Sequence, residues 1–394
     1  MRRFLALALL FTLAVAVAAQ APTALVLLTL RQVHQVILSD ALEPVQSPQL
    51  TRAAWRAARR VVPELPSEQG EWTAFEGAFS LVPQAQAPAA GEAALRAMVD
   101  SLKDPYSTVI TPAERQLEET TRRGGSFSGV GVELAWRGGL VVVACLDGSP
   151  ALEAGVRPGD RILAVDGQKV DGRTFYTAGN LLLGAPGSRA RLQLERQGRP
   201  LAIEITRRSL RLPPVVSRKL SVDTGYVRVG FFGPETVRQV GHELGQLGPL
   251  KRLVLDLRGN PGGDYDQGIK LAGLFALGPL LLEEGHGGTR KQLSSRGPLA
   301  FKGKLVLLVD AGTASAGELV AQSLQGRTNV TVVGTRTFGK ARVQSFYELP
   351  GGGGLHLTTG RYLGLNGADL HGKGLQPDVA VGAGEDALAR ALKI

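Results

Sequence analysis

Two short segments carry residues whose types and order could do nucleophilic chemistry. In residues 307–319 an apolar run, Leu307-Leu308-Val309, gives way to Asp310 and the small residues Ala311-Gly312-Thr313-Ala314-Ser315-Ala316-Gly317 before Glu318-Leu319. That order predicts a buried strand, a tight turn and a helix from about residue 314. Ser315 then stands at a helix start, where backbone N–H groups lack intrahelical partners and are placed to hold a developing oxyanion. The same residues also fit a plain capping role, with Thr313 or Ser315 accepting from the first turn.

A serine nucleophile needs a base. None of the five histidines, His34, His242, His286, His356 and His371, lies in a motif that pairs it with a catalytic serine, and Gly-x-Ser-x-Gly is absent. The second segment, Thr337-Phe338-Gly339-Lys340-Ala341-Arg342-Val343-Gln344, offers Lys340 instead. A lysine base must be neutral. Bringing its ordinary pKa of about 10.4 down to about 7 costs roughly 4–5 kcal/mol, and burial among apolar groups is the natural means. Phe338 and Val343 flank Lys340, and the Gln344 amide could hold its amine. A rival reading sees Gly334 to Lys340 as most of a phosphate-binding loop. Ala341 stands where that motif needs Ser or Thr, and a strand pattern follows where it needs a helix.

A third segment, Leu255-Asp256-Leu257-Arg258-Gly259-Asn260-Pro261-Gly262-Gly263, is again an apolar strand running into a glycine-rich turn. Gly262 and Gly263 allow close backbone approach, either as a second oxyanion donor or as an ordinary strand–helix turn. Upstream, Phe127-Ser128-Gly129-Val130-Gly131-Val132 places a glycine-rich loop before a strand. Such a loop can present N–H groups to a terminal carboxylate while the peptide adds as a strand. It lacks the third glycine of a dinucleotide loop.

The elements that must position these groups fall into zones. Residues 1–21 open with Met1-Arg2-Arg3, continue as an apolar run and end in Ala19-Gln20-Ala21, the pattern of a secretory signal. Apolar character resumes over 24–30, so a retained membrane anchor is the alternative. The expected location is outside the cytoplasm, periplasmic or otherwise extracytoplasmic, free or anchored in the cytoplasmic membrane. Residues 31–125 read as helical, with helices at 51–62 and 91–102, a loop at 82–90 and a stop at Asp104-Pro105. Residues 126–210 carry short β runs at 130–134, 140–144, 161–165 and 191–195. Residues 211–218, with Pro213-Pro214, read as a linker. Residues 219–382 alternate strands (226–232, 252–257, 304–310, 330–333, 343–347, 355–358) with helices (235–247, 266–277, 314–324), an α/β layer pattern. Residues 383–394 form a C-terminal tail.

The net charge of +10 is scattered, with no basic stripe interleaved with aromatics, and so points to no nucleic-acid partner. Cys145, the lone cysteine, has no internal disulfide partner and reads as a small core residue.

Residues 126–208 resemble a PDZ domain, most specifically at Ala154-Gly155-Val156-Arg157-Pro158-Gly159-Asp160-Arg161-Ile162-Leu163-Ala164-Val165-Asp166-Gly167. The order of motifs resembles the carboxyl-terminal processing proteases, Ser/Lys peptidases of the S41 type. Asp104-Pro105-Tyr106-Ser107 precedes the PDZ part. It is followed by 256–263, by 313–318, by Thr337-Phe338-Gly339-Lys340 with Gln344, by Thr358-Thr359-Gly360-Arg361-Tyr362 and by Gly374-Leu375-Gln376-Pro377-Asp378-Val379. Thr313, Gly317 and Ala341 depart from the usual residues. The resemblance implies an α/β (α+β) protease core of ClpP/crotonase-like type, with an inserted β-rich PDZ domain and N-terminal helices. It implies Ser315 as nucleophile, Lys340 as general base with Gln344 beside it, and backbone oxyanion donors at Ala316 and at Gly262 or Gly263. It further implies a PDZ groove formed by Phe127, Gly129, Val130, Gly131 and Val132, no metal or organic cofactor, and protein substrates with apolar C-terminal tails. It leaves open membrane association through the N-terminus and a homo-oligomeric state.

Overall fold

The computed structural model describes residues 22–394 apart from 123–125, 137–138, 147, 172, 174, 212–214 and 383–384. The signal or anchor expected over 1–21, and Pro213-Pro214 of the expected linker, lie outside the described residues. In chain order the helices α1 (Pro22–Asp40), α2 (Ser47–Val61), α3 (Trp72–Phe79) and α4 (Ala87–Asp100) precede β1 (Thr108–Ile110) and α5 (Pro112–Arg122). Then come β2 (Ser126–Gly129), β3 (Val132–Trp136), β4 (Leu140–Cys145), α6 (Pro150–Glu153), β5 (Arg161–Val165), β6 (Gln168–Lys169), α7 (Phe175–Asn180), β7 (Arg189–Arg196), β8 (Arg199–Thr206) and β9 (Arg208–Arg211). The remainder comprises β10 (Val216–Lys219), β11 (Thr224–Arg228), α8 (Thr236–Leu247), β12 (Arg252–Asp256), α9 (Tyr265–Gly273), β13 (Gly278–Gly285), β14 (Arg290–Ser295), β15 (Lys304–Val309), α10 (Ala316–Leu324), β16 (Val330–Gly334), β17 (Arg342–Glu348), β18 (Gly354–Leu363), β19 (Val379–Ala380) and α11 (Ala387–Leu392).

The chain divides into two compact units. The first takes residues up to Arg115 together with Gln344–Thr358. Leu50, Ala54, Trp55 and Ala58 recur along one face of α2 and are buried, as a core-facing helix requires. They join Phe75, Phe79, Met98 and, from the distant strand segment, Leu349, Leu355 and Leu357 in one apolar core. Gly91 marks the closest helix approach, since a Cβ there would fall 2.1 Å from Val26 Cγ1. The Asp104-Pro105 stop is tied by side chains. Asp104 accepts from the Ser107 hydroxyl at 2.5 Å, and Ser107 Oγ accepts the Thr358 N–H at 3.0 Å. The loop expected over 82–90 is shorter than that. Helix α4 begins at Ala87, and Pro88 sits in its first turn, where its missing N–H costs no hydrogen bond. No helix among the described residues is long and apolar enough to cross a membrane.

The second unit takes Gln116–Val343 and Thr359–Ile394. Its main sheet has the order β10-β11-β12-β15-β16-β19, parallel throughout except for β10. The central strands read as unbroken apolar runs, and Leu253, Val254, Leu255, Leu305, Val306 and Leu307 are fully buried. That is expected where both faces are covered. On one face these strands pack with α8, α9 and α10 residues such as Val240, Leu271 and Leu319. On the other they pack with Ala387 and Ala391 of α11. The hairpin β13–β14 extends onto the end of β18, Leu282 facing Leu363. Neither hairpin strand is predicted from the sequence, because the β13 burial follows no simple alternation. Helix α9 also ends four residues earlier than predicted, and the chain turns at Gly278, with φ of 77°, into β13.

The same unit holds an antiparallel sheet of order β3-β4-β5-β7-β8, with β6 on β5. Ala190, Leu192 and Leu194 alternate inward along β7 and meet Leu140, Val142 and Ile162 in a separate core. The single strand expected at 130–134 is broken at Gly131, where φ is 79°. Among the described residues of the expected linker, Arg211 ends β9 and 216–218 belong to β10. Strand β10 pairs with β11 there. Cys145 donates its thiol to the Val156 carbonyl at 3.4 Å, and burial pushes its pKa up to about 11.

Candidate active site

The carboxyl ends of the neighbouring parallel strands β12 and β15 open into two glycine-rich turns, each leading to a helix. In the turn after β15, Asp310 accepts the N–H groups of Gly259 at 2.8 Å and Gly312 at 2.9 Å. Burial pushes the Asp310 carboxyl up, against these donors. Thr313 accepts the Asp310 N–H and donates to the Leu257 carbonyl at 2.7 Å. The chain then reaches Ser315 at φ 50°, ψ −118°. A side chain in that region costs of order 1–3 kcal/mol and persists only when its surroundings impose it. Ser315 directly precedes α10, so its hydroxyl stands at the helix start.

The turn after β12 supplies the opposing wall. A Cβ on Gly262, whose φ is 107°, would fall 2.6 Å from Ser315 Cβ and 3.0 Å from the Ala316 nitrogen. Only glycine allows this approach. The Gly262 N–H donates to Asn260 Oδ1 at 2.8 Å, so of the two glycines expected as donors this one is already engaged. Among the described residues the Gly263 and Ala316 N–H groups have no protein acceptor. The turn is pinned by fully buried Asp256. Its carboxylate accepts the Arg258 N–H at 2.9 Å, the Arg258 guanidinium at 2.6 Å and the Tyr226 hydroxyl at 2.8 Å. The Asp256 carboxylate in turn raises the Arg258 pKa.

Glu318, one turn into α10 and fully buried, binds the Ser315 turn to the Lys340 turn. One carboxylate oxygen accepts the Thr337 hydroxyl at 2.5 Å and the Gly339 N–H at 2.6 Å. The other accepts the N–H of Lys340 at 2.7 Å and of Ser315 at 3.2 Å. Burial pushes the Glu318 carboxyl up, and these four donors pull it back down. Tyr362 adds a second bridge. Its hydroxyl lies 2.9 Å from the Ser315 carbonyl oxygen and 3.0 Å from that of Lys340, and burial holds it in the protonated, donating form. Phe338 and Ala341, on either side of Gly339-Lys340, are buried. The Ser315 and Lys340 backbones are thus joined through two shared side chains.

The other predicted residues fall elsewhere. Gln344 belongs to the first unit, where its amide donates to Thr358 Oγ1 at 3.2 Å. In the β-rich sheet region Phe127 pairs with Leu210, and Gly129 bridges Leu183. Gly131 lies where a Cβ would fall 2.4 Å from Ser149 Cβ, and Val132 opens β3. The N–H of buried Val130 donates to the Leu182 carbonyl at 3.3 Å, so that N–H is already engaged. Glu318 and Tyr362 are the residues the sequence reading leaves without a role. Glu318 was detectable, three residues after a helix-start serine in capping-box spacing. Tyr362 carries no such local signal.

Comparison with known proteins places the chain in a family. The family model "Peptidase family S41" matches residues 223–381, and a PDZ-domain model matches residues 141–196. The carboxyl-terminal-processing protease of Synechocystis sp. is 33% identical over 301 residues, covering 73% of this chain and 70% of that protein. The carboxy-terminal processing protease CtpA of Bacillus subtilis is 32% identical, and the match spans 73% of this chain and 63% of the relative's length. Among solved structures, the photosystem II D1 C-terminal processing protease superposes with a TM-score of 0.69 at 30% identity, covering 86% of this chain and 94% of that one. The chain therefore belongs to the S41 serine peptidases of the carboxyl-terminal processing kind, with a PDZ domain.

Proposed function

We propose that this chain is a serine endopeptidase in which Lys340 is the base for Ser315 and the PDZ domain takes the C-terminal tail of the substrate. The observation that carries the reading is the shared Glu318 carboxylate, which binds the N–H of both residues and fixes the two turns as one piece. Serine kept at φ 50° where glycine would be comfortable supports a chemical use of its hydroxyl. In this reading neutral Lys340 takes the Ser315 proton as Oγ adds to the scissile carbonyl. The oxyanion is held by the N–H groups of Ala316 and Gly263. The Lys340 ammonium returns the proton to the leaving amine as the C–N bond breaks. Water then adds to the acyl carbonyl, losing a proton to Lys340; the bond from Ser315 Oγ to the acyl carbon breaks, Oγ regains that proton from Lys340, and the acid product is released. The tail would lie along β3 as an added strand. Substrates are exported proteins with apolar tails, and the enzyme acts outside the cytoplasm.

Mass spectrometry of products from an unstructured substrate with an apolar tail tests this. Cleavage near the C-terminus by the wild type, abolished in Ser315→Ala and in Lys340→Arg, which cannot become neutral, is expected. Ser315→Ala cleaving at the wild-type rate overturns the reading. Tail binding with no product from the wild type would favour a peptide-binding scaffold instead.

A further inference from the structure

The β-rich sheet reaches the reaction site through its edge. Strand β3 pairs with β4 on one side and has no strand partner on the other among the described residues. Ala135 of β3 with Val141 and Val143 of β4 forms one buried cluster with Ala314 and Phe338. Those last two stand one residue before Ser315 and two before Lys340. Gly312 abuts the same sheet, since a Cβ there would fall 3.0 Å from the Val143 carbonyl oxygen. Strand β3 also carries a register shift between Glu133 and Leu134, a bulge of the kind that re-aims side chains. Glu133 is partly buried beside this contact and lies within electrostatic range of the Lys340 ammonium. Burial pushes its carboxyl up to about 7, and Lys340 pulls it down.

The other charged or titratable groups around the contact have partners of their own. Glu318 is bound by four donors, and Asp310 by the Gly259 and Gly312 N–H groups. Arg342 faces Asp369 at 3.3 Å. The Tyr362 hydroxyl is spent on backbone carbonyls, and the Cys145 thiol on the Val156 carbonyl.

We propose that Glu133 is a positioning residue that acts as an electrostatic brake on the base: as a carboxylate it holds Lys340 in the ammonium form, which cannot accept the Ser315 proton. This rests on the Ser315–Lys340 reading above. A negative charge near an ammonium favours the protonated form, so it moves the acid limb of kcat/KM to higher pH. Removing the charge moves that limb down.

The experiment is the pH profile of kcat/KM for wild type, Glu133→Gln and Glu133→Asp on one unstructured tailed peptide, with Ser315→Ala as the blank. Glu133→Gln is expected to shift the acid limb down by about one pH unit and to raise kcat/KM on that limb by about tenfold, one unit being a factor of ten. Glu133→Asp keeps the charge and is expected to hold the limb near the wild-type position, which a packing role for the glutamate would not predict. An acid limb unmoved in Glu133→Gln, while Ser315→Ala still abolishes cleavage, overturns the brake and leaves the dyad standing. Cleavage that survives Ser315→Ala overturns both.

Discussion

The two turns at the carboxyl edge of the main sheet solve the same problem in opposite ways. Each leaves a parallel strand buried along all but its first residue and must feed a helix within a few residues. The turn after β12 meets the demand with glycine, placing Gly259, Gly262 and Gly263 at φ of 65°, 107° and 127°. The turn after β15 puts a serine at φ 50° and surrounds it with acceptors and donors that keep it there. The first turn is relaxed so that it can approach closely; the second is strained so that it can present a side chain. Both hang on a buried carboxylate, Asp256 in one and Asp310 in the other, yet these differ as well. Asp256 is paired with an arginine, whereas Asp310 has no cation partner among the described residues and is held by two backbone N–H groups and the Thr313 hydroxyl.

The largest effect that would break this contrast is loss of Glu318. Glu318→Ala strands four donors, three of them backbone N–H groups, at about 1–3 kcal/mol for each buried group left unpaired. Relaxation would bring the total to roughly 3–5 kcal/mol by urea unfolding, with peptidase activity lost. Next comes Asp256→Asn. Removing one partner of a buried pair costs about 3–5 kcal/mol. Because Arg258 retains 28% side-chain exposure, about 2 kcal/mol is expected in the same assay. Gly262→Ala should cost about 1–3 kcal/mol for its positive φ and abolish cleavage, since the new methyl would displace Ser315.

The sharpest test of strain runs in the other direction. Ser315→Gly should abolish cleavage while stabilising the fold by about 1 kcal/mol, read as a raised Tm; a destabilised Ser315→Gly would refute the idea that the serine is held against its preference. Asp310→Asn is the smallest effect. Its side-chain oxygen can still accept from Gly259 and Gly312, so a change within about 1 kcal/mol is expected. Because burial raises the Asp310 carboxyl in the fold, its contribution to stability is complete below the unfolded value and is lost as pH rises through the folded one. Acid unfolding curves of Asp310→Asn should lack that increment.

The candidate site was legible where a local rule produces it. Apolar runs ending in small residues marked β12 and β15, and the serine after one of them and the Gly-Lys turn marked the proposed pair. What the sequence could not disclose depends on contacts between distant segments. Asn260 captures the Gly262 N–H because its side chain also reaches the Val229 carbonyl at 2.7 Å. Tyr362 bridges two carbonyls that are 25 residues apart in sequence. The segment Gln344–Thr358 reads as ordinary strand and turn, yet its leucines complete a helical core formed by residues hundreds of positions earlier. Strands β13 and β14 escaped because half-covered strands need not alternate.

The seam where Ala135 meets Ala314 and Phe338 also limits what can be rebuilt in this enzyme. Both alanines are closed to solvent, so a methyl group added to one must be matched by volume removed from the other. A β-rich domain borrowed from another protein would have to bring an equally small residue to position 135, or it would press on the backbone immediately before Ser315. That domain and the turn that carries Ser315 must therefore be exchanged together.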